Sequence, residues 1–178
     1  PRLRIIKDEA PRLSHLFNRG WQETRGDIIA YLADDAEADR HWIKQIIATL
    51  KHFPKAAAVS GPVISTSWPT GEMHRLYLAS QKPVLSVLLR PYFKLVFEER
   101  LSEPGILLES GAYTFGAALP ASRQLSGPIE TDLLTTTSMG IRRSALSHVL
   151  GFDERFCFNH ADGDLFVRLK RASYQIIF

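Results

Sequence analysis

The sequence is poor in the features that most quickly assign a chain to a class. It holds one cysteine, Cys157, in 178 residues, which excludes an intrachain disulfide framework and a cysteine-rich zinc site; that thiol reads as a half-buried structural residue. Its histidines fall on helical or loop positions without metal-type spacing. No Gly-rich phosphate loop and no Gly-x-Ser-x-Gly elbow is present, so those routes to nucleotide binding and acyl transfer are unsupported. No apolar run is long enough to cross a bilayer. The most apolar region, Val84 to Phe97, is broken by Arg90, Pro91 and Lys94, and it reads as a helix packed on the domain's own sheet, with a membrane interface as the alternative. The chain opens on charged residues, Arg2, Arg4, Lys7, Asp8 and Glu9, rather than an apolar leader. Net charge is also small: +3 suits an anionic small molecule, a membrane surface or nucleic acid alike.

What is there is an ordinary globular composition, 45% apolar, enough for the core of one domain over residues 1–178. Leu13, Leu16, Phe17 and Trp21 keep helical spacing, and Gly26 stops that helix. Ile28 to Leu32 is an apolar run too short for a helix and reads as a buried strand. A second helix follows, with Trp42, Ile43, Ile46, Ile47 and Leu50 at helical spacing and Pro54 as its stop; Asp39 is placed to cap it, with Glu37 as a further acid of its first turn. Ala56 to Ile64 reads as the next strand, ending near Gly61-Pro62. Helix, strand, helix, strand over residues 14–64 argues a parallel, helix-covered sheet.

Further along, Met73 to Leu101 has helical character interrupted by Pro83 and Pro91, and Trp68 to Gly71 is a loop. Pro104 to Pro128 is punctuated by Gly and Pro into short irregular strands and loops, a pattern shared by substrate-covering loops and by ordinary surface connections. Glu130 to Thr137 reads as a strand, Arg142 to Leu150 as a short helix ending at Gly151, Ala161 to Ser173 as an amphipathic helix, and Tyr174 to Phe178 as the start of a strand.

Two acidic groups carry the candidate chemistry. Asp34 and Asp35 stand directly after the first strand, where ligands bind in open α/β sheets. Adjacent carboxylates there need solvent, a helix start or a cation to offset their repulsion, and can hold a hard divalent ion and the phosphates it carries; turn formation is the competing explanation. Asp162 and Asp164 stand at the start of the last helix, where capping competes with function. Arg168 lies four residues after Asp164, the spacing of a helical ion pair.

Taken in order, NRGWQETRGDIIAYLADDAEAD, AAAVSGPVI, TTTSMGIRRSALSHVLGFDERF and HADGDLFVRLKRASYQIIF resemble a family 2 glycosyltransferase of the GT-A fold. The likeness is clearest over residues 14–64 and 133–178. It implies an α/β, Rossmann-like, mostly parallel sheet flanked by helices, in a domain expected to be incomplete because nothing before Ser14 matches the family's N-terminal nucleotide-binding strands. Asn18-Arg19-Gly20 matches an Asn-x-Gly element, and Ala33-Asp34-Asp35 an Asp-Asp form of the family's metal motif. The resemblance makes Asp35 the metal ligand and Asp34 a nucleoside contact. It matches Thr136 to Arg143 to a segment beside donor and acceptor, with Arg142 as a donor contact. Gly151-Phe152-Asp153-Glu154 matches a Gly-Phe-Asp-Glu element. Ala161-Asp162 falls on the family's Glu-Asp pair, which makes Asp162 the catalytic base and leaves Asp164 and Arg168 as structural residues.

The activity so implied is transfer of a sugar, with inversion, from a nucleotide diphosphate sugar to an unidentified sugar, lipid or protein acceptor, dependent on Mn or Mg. Cell-surface polysaccharide biosynthesis, a cytoplasmic location at the inner face of a membrane and no nucleic-acid partner go with it. Ala33 and Ala161, where the family carries acids, favour the alternative of a noncatalytic, truncated or degenerate binding module.

Overall fold

The computed structural model describes residues 4–8, 12–64, 72–101, 103–115, 125–157 and 160–178. The loop expected at Trp68 to Gly71, residues 116–124 of the Gly/Pro-rich stretch and Asn159 lie outside them. Four elements follow the expected order: α1 (Leu13–Glu23), β1 (Ile28–Leu32), α2 (Trp42–His52) and β2 (Ala56–Ser60). They are followed by α3 (Glu72–Ser80), α4 (Pro83–Phe97) and a two-stranded ribbon of β3 (Pro104–Leu107) and β4 (Tyr113–Phe115). The chain then forms β5 (Glu130–Thr131), β6 (Ser138–Arg142), α5 (Arg143–His148), α6 (Ala161–Arg171) and β7 (Gln175–Ile177).

The main sheet has the order β1-β6-β2-β7-β5. β6 runs antiparallel to both β1 and β2, β2 pairs parallel with β7, and β5 pairs antiparallel with β7. The α/β class stands, but the expected mostly parallel sheet is corrected: β1, β2 and β7 point one way, and β6 and β5 point the other. β1 and β2 are therefore co-directional without being neighbours, because β6 is inserted between them. The expected strand from Glu130 to Thr137 is also redrawn, as the two-residue β5 followed by the separate β6.

Helices cover both faces. On one face Ile46 and Leu50 of α2 pack on Ala56, Val59 and Ile177. On the other, Leu146 of α5 and Leu165, Phe166 and Leu169 of α6 close over Ile29, Met139, Ile141 and Ile176. Gly140 lets α2 approach closely, since a Cβ there would stand 2.2 Å from Ile46 Cγ2. α6 turns back into β7 through a connection of a few residues, so its first turn lies at the edge where β1, β2 and β7 end.

α4 departs from expectation. Pro83 opens it and Pro91 sits inside it without ending it, and its apolar residues do not cover the sheet. Phe93 is buried, with Tyr77 of α3 edge-on against its ring, but much of the helix faces solvent. No helix among the described residues is long and apolar enough to cross a membrane.

Candidate active site

The carboxyl edge of β1 is built first by local chemistry. β1 ends at Leu32, and the Ala36 N–H donates to the Ala33 carbonyl at 3.1 Å. This closes a tight turn with Asp34 and Asp35 as its central residues, the composition such turns favour. Both acids are exposed, and among the described residues neither has an ion-pair partner. The expected capping role of the neighbouring acids is only partly met. Asp39 accepts the His41 N–H at 2.7 Å, just ahead of α2, but the first turn of α2 contains no acid, so Glu37 does not belong to it.

Because β6 runs against β1, the edge next to this turn is the start of β6. The Ala33 N–H donates to the Thr137 carbonyl at 2.8 Å, Leu32 pairs with Ser138, and Ser60 Oγ at the end of β2 donates to the Ser138 carbonyl. Ser60, Thr135, Leu133, Leu134 and Phe178 line a pocket that Gly105 and Thr114 of the ribbon close from above. At roughly 10 Å³ it has room for about one water molecule, and a sugar does not fit inside it. It belongs to the floor of the edge. The ribbon is held there by Gly105, whose carbonyl accepts the Asp132 and Leu133 N–H groups, both at 2.8 Å.

Tyr113, beside Thr114 on the ribbon, brings the second acid into this neighbourhood. Its hydroxyl is hydrogen-bonded to His160 Nδ1; burial, and after it the charge of Asp162, raise the Tyr113 pKa. Asp162 is half-buried in the first turn of α6, where the helix start favours negative charge. Its Oδ1 accepts the Gly163 N–H at 2.9 Å, which leaves Oδ2 able to accept a further proton donor. His160 takes a left-handed backbone conformation with φ 66° at the entry to this helix. Neither Tyr113 nor the pairing of Tyr113 with His160 was legible in the sequence, because nothing in the spacing of positions 47 residues apart couples them.

The helical ion pair expected from the spacing of Asp164 and Arg168 is formed. Arg168 pairs with Asp164 at 2.7 Å and also donates to the Val149 carbonyl. Ala161 is buried within the main core.

Arg142 requires a correction. It ends β6 opposite Ile28, the first residue of β1, so it lies at the other edge of the sheet. Four residues of strand, about 13 Å, separate it from Ser138. Its Nε donates to the Ala56 carbonyl at 2.8 Å and its Nη2 to the Leu50 carbonyl. The expected donor contact is replaced by a brace between β2 and the last turn of α2, where a cation suits the helix end. Arg143 likewise serves the scaffold, donating to the carbonyls of Gly26 and Trp21 and to Thr24 Oγ1. Only the Thr136–Ser138 end of that segment reaches the edge that holds Asp34 and Asp35.

The Asn-x-Gly and Gly-Phe-Asp-Glu elements prove to be two halves of one clamp. Buried Asn18 accepts the Phe152 N–H at 2.8 Å and donates to the Phe152 carbonyl at 2.8 Å and to Glu154 Oε1 at 2.9 Å. Gly151, at φ +72°, has Asn18 Oδ1 only 2.5 Å from where a Cβ would stand, so a side chain is excluded both by conformation and by space. Glu154 is also bound by His15 at 3.0 Å. The clamp fixes the segment that leads from α5 toward α6 and Asp162.

Among the described residues no three His, Cys, Asp or Glu side chains form a ready-made metal cage. The donor set still fits a hard cation of the Mg or Mn kind, which binds through one or two carboxylates and completes its shell with water and substrate phosphates. Asp34 and Asp35 offer such carboxylates, exposed and uncommitted.

Comparison with known proteins assigns the family. The sequence matches Glycosyl transferase family 2 over residues 1–150. A 57-residue stretch is 35% identical to the glucosyl-dolichyl phosphate glucuronosyltransferase of Haloferax volcanii. That likeness covers 32% of this chain, and the chain spans 18% of that relative's length. With a family match over most of its length and a mixed sheet between helical layers that is compatible with the GT-A architecture, the chain belongs to the family 2 glycosyltransferases.

Proposed function

We propose that the chain contributes the metal-and-base edge of an inverting glycosyltransferase that uses a nucleotide diphosphate sugar. The observation that carries this reading is the common edge: the Asp34-Asp35 turn after β1 and the first turn of α6, with Asp162, both belong to the side where β1, β2 and β7 end. In this reading Asp35 holds a Mn or Mg ion and Asp34 contacts the nucleoside. Asp162 Oδ2 receives the proton of an acceptor hydroxyl as that oxygen attacks the anomeric carbon from the face opposite the diphosphate. The departing diphosphate takes the electron pair of the broken glycosidic bond, and a bound divalent cation would offset its charge. Tyr113 and His160 hold the approach to Asp162. The acceptor is a sugar, lipid or protein hydroxyl. Cell-surface polysaccharide synthesis and a cytoplasmic site of action belong to the same proposal.

Ala161 favours a second reading. The position matched to the family's Glu is a core packing residue, as a noncatalytic binding module would permit. Titration calorimetry of the full-length polypeptide with manganese and a panel of nucleoside diphosphates separates the two. The enzyme reading expects metal-dependent binding that Asp35→Asn weakens at least about tenfold. It also expects Asp162→Asn to keep that binding while turnover falls about 10²–10⁴-fold. Absence of metal-dependent nucleotide binding favours the noncatalytic module.

A further inference from the structure

α4 carries two unlike sides. One is seated on protein: Phe93 is buried against Tyr77, and Phe97 lies beside it. The other is a stripe of Val84, Leu88, Pro91 and Leu95, at spacings of four, three and four, with Val87 alongside. Val84, Val87, Leu88 and Leu95 are 87%, 83%, 77% and 78% exposed. Apolar side chains gathered at such exposure on one helical face mark a contact surface rather than the scatter of single residues found on any protein.

The charges beside the stripe indicate what it meets. From position 73 to 97 the sequence contains Arg75, Lys82, Arg90 and Lys94 and no Asp or Glu. Arg90 is bound by Glu99 at 2.6 Å. Lys94 borders the stripe next to Val87 and Pro91 on the helix surface, Tyr92 borders its other side, and Lys82 stands at the helix entry. An apolar stripe with a lysine on one flank, an aromatic ring on the other and a second lysine at the helix entry is the pattern of a helix lying in a lipid interface. Spanning is excluded: fifteen residues reach about 23 Å against a hydrocarbon core of about 30 Å. The acids that follow the helix are engaged within the chain, Glu98 by the Glu109 N–H and Glu99 by Arg90, while Lys82 and Lys94 have no ion pair among the described residues and are left for an external anion.

We propose that α4 docks on an anionic lipid surface, with Val84, Val87, Leu88 and Leu95 entering the boundary between headgroups and acyl chains, and Lys82 and Lys94 at the lipid phosphates. None of these residues belongs to the Asp34-Asp35 turn or to the first turn of α6, and the test does not depend on sugar transfer.

The test uses the full-length polypeptide with Val87→Trp, its emission read as the difference from the parent protein. In buffer the added indole reports a wet environment. With vesicles of phosphatidylglycerol and phosphatidylcholine the emission shifts to the blue and is quenched by brominated acyl chains; with phosphatidylcholine alone both effects are much weaker. Lys82→Ser and Lys94→Ser each lower partitioning into anionic vesicles roughly fivefold. Adding Leu88→Glu removes the shift while the far-ultraviolet circular dichroism stays that of the parent. The proposal is overturned if the indole is already blue-shifted without lipid. That result means protein covers the face: a second copy if the shift depends on concentration, another segment of the polypeptide if it does not. It is equally overturned if anionic vesicles leave the emission unchanged.

Discussion

Replacing Asn18 with alanine tests whether the clamp between α1 and the Gly151–Glu154 segment is held as described. The substitution removes four hydrogen bonds, two accepted from the Phe152 N–H and Trp21 Nε1 and two donated to the Phe152 carbonyl and Glu154. The Phe152 N–H and carbonyl, in a residue only 2% exposed, lose their partner, and each such loss costs about 1–3 kcal/mol. The bond to Glu154 adds little, because that carboxylate is half-exposed and keeps His15. Water entering the vacated space recovers part of the loss, which brings the expected cost to about 3 kcal/mol. With a urea slope of about 2 kcal/mol/M the unfolding midpoint falls by about 1.5 M. Asn18→Asp is the sharper variant. It keeps the acceptor for the Phe152 N–H but loses both donors and sets a carboxylate against the Phe152 carbonyl and Glu154. At neutral pH it is at least as damaging as alanine, and it recovers on acidification, when its carboxyl is protonated and can donate again. A loss below about 1 kcal/mol for the alanine variant, or an aspartate variant as stable as the parent at pH 7, would refute the clamp.

The same clamp makes stability depend on pH. Hydrogen bonding and charge from Glu154, with a smaller contribution from Asp8, hold the His15 pKa above its ordinary 6.5; a raised folded value contributes stability that is fully present below 6.5 and disappears as pH rises through that folded value. Glu154 is held below its ordinary 4.5, first by the bond from Asn18 and then by His15, so its contribution is present above 4.5 and vanishes as pH falls through its folded value. Denaturation midpoints should therefore fall from pH 6 toward pH 8 by an increment that His15→Ala abolishes; equal slopes in both proteins would count against the pairing. At the other face, Gly140→Ala should cost about 1–3 kcal/mol, because the new methyl meets Ile46 Cγ2, and a β-branched side chain in a helix has little rotameric freedom to move away. Combining it with Ile46→Ala, which removes the obstructing atoms, should leave the pair less destabilised than the sum of the singles by about 1 kcal/mol or more. Additive losses would mean that α2 does not approach the sheet at this point.

Local chemistry made much of the scaffold legible. Ile28 to Leu32 could be read as a strand because an apolar run ends in turn-forming acids, and α1, α2 and α6 because their apolar residues recur at the helical period. Pro54, Gly26 and Gly151 marked ends where they in fact occur. β6 was not legible: Ser138-Met-Gly-Ile-Arg is short, contains a glycine that strands disfavour, and owes its place to pairing with β1 and β2, which are more than 75 residues away in sequence. The same limit hid Tyr113, whose relation to His160 and Asp162 exists only once the ribbon is laid against the edge.

The sequence by itself determined the acidic turn after β1, the helix starting at Ala161, and the ordered motifs that resemble the family. Those depend on residues close together in the chain, where turn chemistry, capping and periodicity act. Tertiary structure alone decided the direction of β6, and with it the removal of Arg142 to the far edge while Thr137 and Ser138 stay beside Asp34. It also decided that Asn18 and Gly151 form one clamp and that the apolar face of α4 points outward. Strand pairing and burial join residues distant in sequence, and their choice rests on which surfaces can be covered together.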